Sequence, residues 1–367
     1  MRTKVIKKLI FLFIIWRLLL LGVAYLSPII IPQFGARFPY FEGRLISSGL
    51  PHFIWSFGNF DGVHYLGIAQ DEYAYQFTQA FFPLYPILIK LFSYLTSYSL
   101  LVSGFLISNL AFLCGLVIFF KLTKEVYDEK IAFWSCLFLL SFPTSFFFGS
   151  IYTEGLFFLL IISSFYLFYK KKIIFASIVG SFASATRLAG IFLAPSLALR
   201  RDFKTLIPIL IAPSGLIAYI LYLQIKFHNP LYFLSAQPVF GQERMTTGIV
   251  LLPQVFWRYS KILLTTNGLV LANAAFELSS TIFALAVLFI GFKKVRSEWL
   301  VFSLLAVLVP TLTGTLASMP RYILVAFPIY IILAAIKNTM IKSMILIIFL
   351  FLLIISTIFF TQGYWVA

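Results

Sequence analysis

The chain has 367 residues, of which 61% are hydrophobic and only 11% charged, against roughly 25% charged in a soluble domain. A soluble core cannot hide that much apolar surface, so lipid is the expected solvent for most of the chain. The formal charge of +16 does not point to nucleic acid: the bases stand in short runs between apolar segments (Lys7–Lys8, Lys170–Lys172, Arg200–Arg201, Lys293–Arg296), the pattern that marks cytoplasmic loops of a polytopic protein.

Taken in order, the basic start (Arg2, Lys4, Lys7, Lys8) places the N-terminus in the cytoplasm, and the apolar run from Leu9 to Ile31 is long enough to be a retained first span that exits near Pro28–Pro32. A large external loop follows at about 32–98. Within it, 81–96 is apolar but short and carries Lys90, which suits an interfacial or re-entrant helix better than a span. A span at 99–120 leads to a cytoplasmic loop, and spans at 131–149 and 155–169 end at the lysine triplet. Positive charge flanks 173–199 at both ends, which predicts a hairpin of two short helices with Arg187 near its turn and small residues that let backbones approach. Residues 205–226 lead to a second external loop at about 227–265, followed by spans at 271–292, 298–317, 322–336 and 343–361. The expectation is one all-α polytopic domain over residues 1–367, with about ten to eleven spans and short interfacial helices in the first external loop.

Cys114 and Cys136 lie in apolar runs and read as small buried hydrophobes, with no disulfide framework. His52, His64 and His228 have no paired spacing that would hold a metal. Among the few acids, Glu125, Asp128, Glu129, Asp202 and Glu298 neighbour bases in cytoplasmic loops and are expected to be solvated. Glu42, Asp61, Asp71, Glu72, Glu154 and Glu243 fall outside, and Glu277 at the outer end of a span. Asp61 precedes a short helix with His64 and Tyr65 one turn on, so it reads either as an N-cap or as a general base; spacing alone favours the cap. Glu154 opens a helix after Thr153, where the helix dipole stabilises a carboxylate, yet it also stands at the membrane boundary. Arg187 is the sole charge between Lys172 and Arg200, and like Arg321 it suits either an interface, a carboxylate or a phosphate. Arg244, Arg258 and Lys261 are expected to meet lipid headgroups. A divalent ion held by Asp61 with Asp71, Glu72 or Glu154 is left open, and no other cofactor is indicated.

The stretch NFDGVHYLGIAQDEYAYQFTQAFFPLYP resembles the first external loop of the PIG-V-like mannosyltransferases, a family of the GT-C class of polytopic glycosyltransferases. It supplies Asn59, Asp61, Gly62, His64, Tyr65 and the AFFPLYP run, with Phe60 where the family usually has tryptophan. Downstream, FPTSFFFGSIYTEGLFFLL, ASATRLAGI, NPLYFLSAQPVF and MPRYILVAFP are similar to further family segments and occur in family order. The resemblance implies a GT-C-like bundle and an inverting transfer of a sugar, mannose for this family, from a polyprenyl-phosphate carrier to a hydroxyl of an external glycolipid, glycan or protein. It implies Asp61 as catalytic base and Glu154 as a second catalytic carboxylate. It places Arg187 and Arg321 near the donor phosphate, with His64, Tyr65, Tyr322 and Gln237 as further substrate contacts. The external face, periplasmic in a bacterium whose inner membrane holds the chain, is where the reaction is expected.

A transporter or flippase of lipid-linked glycans is the competing reading, but such proteins concentrate polar groups at mid-membrane in two related halves. Here the polar load leans toward the external loops and no repeat is visible. A non-catalytic scaffold would leave Asp61, Glu154 and Arg187 dispensable.

Overall fold

Long apolar runs with no alternation become helices in lipid because only a helix satisfies every backbone N–H and C=O within its own segment. The computed structural model describes residues 2–366 apart from 37, 98, 200–202, 241–243 and 246–247, and its regular structure is entirely helical. Among the described residues, four helices are long and apolar enough to cross a membrane: Val5–Ile30, Leu100–Val126, Gly268–Ile290 and Thr339–Thr361. Six shorter apolar helices of 10–17 residues pack with them. The outer surface suits lipid, with Phe11 63%, Ile225 78% and Phe289 78% exposed.

Several expected spans are shorter than the apolar runs that announced them, and prolines are the reason. The run at 131–149 is helical only over Glu129–Ser141; Phe142, in front of Pro143, turns to extended geometry. The rest becomes a buried turn, Ser145–Gly149, which is tolerated because protein rather than lipid surrounds it. The run at 205–226 divides before Pro213 into Phe203–Ile209 and Ser214–Phe227. The one at 322–336 is a turn, Ile323–Val325, followed by the seven-residue helix Pro328–Ala334. By contrast, 81–96 holds one short helix, Leu84–Ser93. The segment 173–199 is the expected pair, Ile173–Ser184 and Leu193–Ala198, with Arg187 extended between them.

Close backbone approach explains two of the glycines. A Cβ on Gly155 would sit 2.5 Å from the Phe148 carbonyl oxygen and 2.6 Å from that of Ser108, which locks Glu154–Tyr169 against Leu100–Val126. On Gly190 it would meet the Ala183 carbonyl carbon at 2.4 Å, closing the hairpin.

The first loop is tied to the ends of the first and last long helices. His52 bridges Ala24 O (3.3 Å) and Thr361 O (3.1 Å), and Asn59 Nδ2 donates to Phe360 O at 2.8 Å. Halfway along the first helix, the buried guanidinium of Arg17 lies between the rings of Phe57 and Phe105, 4.3 Å from each. At the opposite end of the bundle, Lys170 pairs with Glu125 at 2.6 Å, Lys124 pairs with Glu129, and Asp128 caps the helix that follows. Glu298 departs from the expectation of a solvated acid: it is 7% exposed and held by Arg296 Nε at 2.5 Å. Cys136 is buried, whereas Cys114 faces outward from its helix. Asp202, Glu243 and the Arg200–Arg201 pair lie outside the described residues.

Candidate active site

The helix Asp61–Asp71 begins at Asp61 itself. The cap position belongs to Phe60, and no side chain caps the helix, so the N-cap reading of Asp61 does not hold. Phe60 has φ 58°, a conformation that costs a bulky residue on the order of 1–3 kcal/mol. Its ring is held against Phe38 (4.9 Å) and Trp365 (5.1 Å). Tyr152 fixes the backbone from beneath, its hydroxyl accepting from the Asp61 N–H (3.2 Å) and donating to Asn59 O (2.8 Å). Together these contacts aim the Asp61 side chain away from its own helix.

That side chain meets Arg321, whose Nη1 donates to Asp61 Oδ2 at 2.5 Å. Arg321 Nε lies 3.5 Å from Glu154 Oε1, and the same carboxylate oxygen accepts from Arg187 Nη1. Four side chains from four segments thus form an alternating row, Asp61–Arg321–Glu154–Arg187. Glu154 opens its helix as expected but is only 1% exposed. It stands behind the two arginines and neutralises them. Burial alone would lower the Arg321 pKa, but Asp61 and Glu154 outweigh it and hold the guanidinium well above its ordinary value.

The row borders a cavity of about 530 Å³. Asp61, Tyr65, Arg187, Gln237, Arg321 and Tyr322 all line it, so six of the eight residues singled out from sequence converge. Glu154 is not in the wall, and neither is His64. The His64 ring stacks on Phe81 (5.0 Å) and meets Phe240 edge-on (4.9 Å). Burial lowers its pKa, with Asp61 pulling up and Arg44 pushing down. Gln237 donates to Ala80 O at 3.4 Å and accepts from Arg244 Nη1 at 3.1 Å.

Arg244 is the wall residue that sequence reasoning sent elsewhere. It does not point to headgroups: its guanidinium faces the cavity and, among the described residues, bonds the neutral groups Gln237 Oε1, Ala317 O and Ser318 Oγ. No carboxylate lies within 4 Å of it among the described residues. The Tyr322 ring gathers three guanidinium carbons, Arg187 at 5.5 Å, Arg244 at 5.7 Å and Arg321 at 5.7 Å. Burial would raise the Tyr322 phenol, but these three cations bring its pKa below the ordinary value. A signal was present in the sequence, since Arg244 follows the AQ segment by seven residues, but only the fold could say which way it turned.

Much of the remaining wall is apolar, including Phe192, Ile249, Ala306, Val309 and Pro310. The carboxylates suggested as a metal set do not converge on Asp61: Asp71 pairs with Arg44 at 3.0 Å, and Glu72 faces Lys226 (3.4 Å) and Lys90 (3.8 Å). Between Asp61 and Glu154 stands Arg321. No group of three His, Cys, Asp or Glu side chains placed to hold an ion occurs among the described residues.

A sequence profile for the family described as Mannosyltransferase (PIG-V) matches residues 6–201, more than half of the chain. The chain belongs to the PIG-V mannosyltransferase family. The match includes Asp61, Glu154 and Arg187, and it ends before Gln237, Arg244, Arg321 and Tyr322. Among individual proteins, the chain is similar to GPI mannosyltransferase 2 of Cryptococcus neoformans var. neoformans serotype D, 28% identical over 159 residues, 40% of this chain and 36% of that protein. It is likewise similar to GPI mannosyltransferase 2 of Drosophila pseudoobscura pseudoobscura, 28% identical over 138 residues, 34% of this chain and 29% of that one. The matched stretch therefore spans about a third of these relatives' own length.

Proposed function

We propose that this PIG-V family member transfers a mannosyl group from a polyprenyl-phosphate carrier to a hydroxyl of a lipid-linked or external acceptor, with inversion at the anomeric carbon. The observation that carries the reading is one cavity with two chemistries: Asp61 and three guanidiniums share it with an extensive apolar wall. A polyprenyl phosphate needs both, a cationic seat for the phosphate and a greasy path for the tail.

In this mechanism Asp61 takes the proton from the acceptor hydroxyl as its oxygen bonds to the anomeric carbon. The bond from that carbon to the phosphate oxygen breaks on the opposite face. Arg321 holds Asp61 Oδ2, leaving the other carboxylate oxygen to receive the proton. The leaving polyprenyl phosphate carries negative charge away, and preorganised cations stabilise it without reorganising. Arg244 is the principal candidate for that seat because, unlike Arg187 and Arg321, it forms no ion pair with a carboxylate among the described residues. Glu154 acts as a positioning carboxylate for the two paired arginines. Trp365 Nε1, buried in the same wall without a hydrogen-bond partner among the described residues, is a donor available to a sugar hydroxyl.

The clusters of Lys124, Lys170 and Arg296 at the bundle end remote from this cavity support a cytoplasmic position for that end, with catalysis on the external face of the membrane. The relatives' name points to a GPI glycolipid as the acceptor of those proteins; for this chain the acceptor class proposed is a glycolipid, glycan or protein hydroxyl. The test is purified protein in vesicles, given polyprenyl-phosphate-mannose or -glucose and a panel of such acceptors. Mannosyl transfer that fails in Asp61→Asn supports the proposal. Movement of the donor across the bilayer with no transfer would replace it with a flippase.

A further inference from the structure

Glu277 is a carboxylate on Gly268–Ile290, a helix long enough to cross the membrane. An acid on such a helix is costly and marks function by default. It is 6% exposed and stands outside the cavity wall. Its contacts show what it can do.

Glu277 Oε2 accepts from the Tyr259 hydroxyl at 2.5 Å. That hydroxyl in turn accepts from the Leu316 N–H at 3.0 Å and lies 3.2 Å from Thr315 Oγ1. Thr315 Oγ1 accepts from the Ala317 N–H (3.2 Å). The buried acid and phenol therefore hold Thr315 and Leu316 directly and Ala317 by way of Thr315, next to the point where Ser318 adopts φ 66°. That turn touches Arg244 and leads into Arg321. Ala317 O and Ser318 Oγ each accept from Arg244 Nη2 at 3.4 Å. The Ser318 carbonyl starts the helix Met319–Tyr322 by accepting from Arg321 N (3.0 Å) and Tyr322 N (2.9 Å).

We infer that Glu277, through Tyr259 and the 315–318 turn, is a positioning residue that holds Arg244 and Arg321 in register for the donor phosphate. The inference rests on the proposed phosphate seat at Arg244. Without the grip, a left-handed serine has no reason to persist, and the carbonyl and hydroxyl that orient Arg244 move with it. Donor affinity should suffer before anything on the acceptor side does.

The experiment measures donor and acceptor KM, kcat, and direct binding of a short-chain polyprenyl phosphate, for wild type, Glu277→Ala, Glu277→Gln, Tyr259→Phe, Arg244→Ala and Glu277→Ala/Arg244→Ala. Glu277→Ala and Tyr259→Phe should each raise donor KM and the polyprenyl phosphate Kd by about tenfold while acceptor KM stays put. Glu277→Gln, which keeps an acceptor oxygen for the phenol, should fall between wild type and Glu277→Ala. The double variant should bind less than tenfold worse than Arg244→Ala alone, because the part of the effect that runs through Arg244 is already lost and only the part through Arg321 remains. A purely structural role would instead lower the folded yield and Tm with unchanged donor KM in the folded fraction, and that result overturns the inference. Tyr259→Phe removes a single oxygen and decides the matter should Glu277→Ala not fold: an unchanged donor KM overturns the inference there too. If Arg244→Ala binds polyprenyl phosphate like wild type, the phosphate seat itself is wrong. Weakened binding in Arg244→Ala with none in the Glu277 and Tyr259 variants removes the inference and leaves the seat standing.

Discussion

Asp61→Asn separates chemistry from architecture better than any other single change. The amide has the shape of the carboxylate and can still accept from Arg321 Nη1, but it can no longer take a proton from an acceptor hydroxyl. A positioned general base contributes roughly 10²–10⁴-fold, about 3–5 kcal/mol at 1.36 kcal/mol per tenfold, and turnover should fall by that factor. Stability should fall much less. The contact is partly buried, with the Arg321 and Asp61 side chains 8% and 18% exposed. The guanidinium still donates to a neutral oxygen, so the change is from a charge–charge to a charge–neutral hydrogen bond; bonds to charged groups span about 1.5–3 kcal/mol, so the loss is about 1–2 kcal/mol. It stays below the roughly 3–5 kcal/mol of an orphaned buried charge, because Glu154 Oε1 remains 3.5 Å from Arg321 Nε. Single-turnover transfer from radiolabelled donor with enzyme in excess gives the chemical step, scanning fluorimetry gives the stability, and equilibrium binding checks that donor still docks. Turnover within tenfold of wild type would remove Asp61 as the base, and a loss of donor affinity large enough to account for the slower rate would recast it as a binding residue.

Glu154→Gln should do the reverse, costing about 3–5 kcal/mol of stability because a 1% exposed carboxylate serves two guanidiniums; an unchanged Tm would refute the row of alternating charges. Gly155→Ala drives a Cβ to 2.5 Å from Phe148 O and 2.6 Å from Ser108 O, both backbone atoms, so a loss of about 1–3 kcal/mol and a displaced Glu154 are expected, and wild-type melting together with wild-type turnover would contradict this. His64 has a folded pKa below its ordinary value, first through burial, so the unfolded chain binds its proton more readily. Stability is therefore full above about pH 6.5 and declines as pH falls from there toward the folded pKa. Melting curves taken at falling pH should lose that slope in His64→Gln, and an identical slope in both proteins would place the titration elsewhere.

Much of the architecture follows from sequence because it obeys local rules. Hydrophobicity and the scarcity of charge determine that lipid is the solvent, helix being the structure lipid allows. Helix starts at Asp61 and Glu154, the short helix after Phe82 and the small-residue hairpin around Arg187 were all legible from neighbours a few positions away. Helix lengths were less so, since an apolar run looks the same whether a proline diverts it into a buried turn or lets it cross. What the sequence could not determine was which charge meets which. Spacing made Asp61 a helix cap; the fold gives its carboxylate to a guanidinium 260 residues away. The same long-range closure draws Arg244 into the cavity wall, leaves His64 outside it between two phenylalanine rings, and sets Glu277 behind the turn that presents Arg321. In a low-dielectric interior an ionisable group must find its partner, and which partner is within reach is decided by packing between helices distant in the chain.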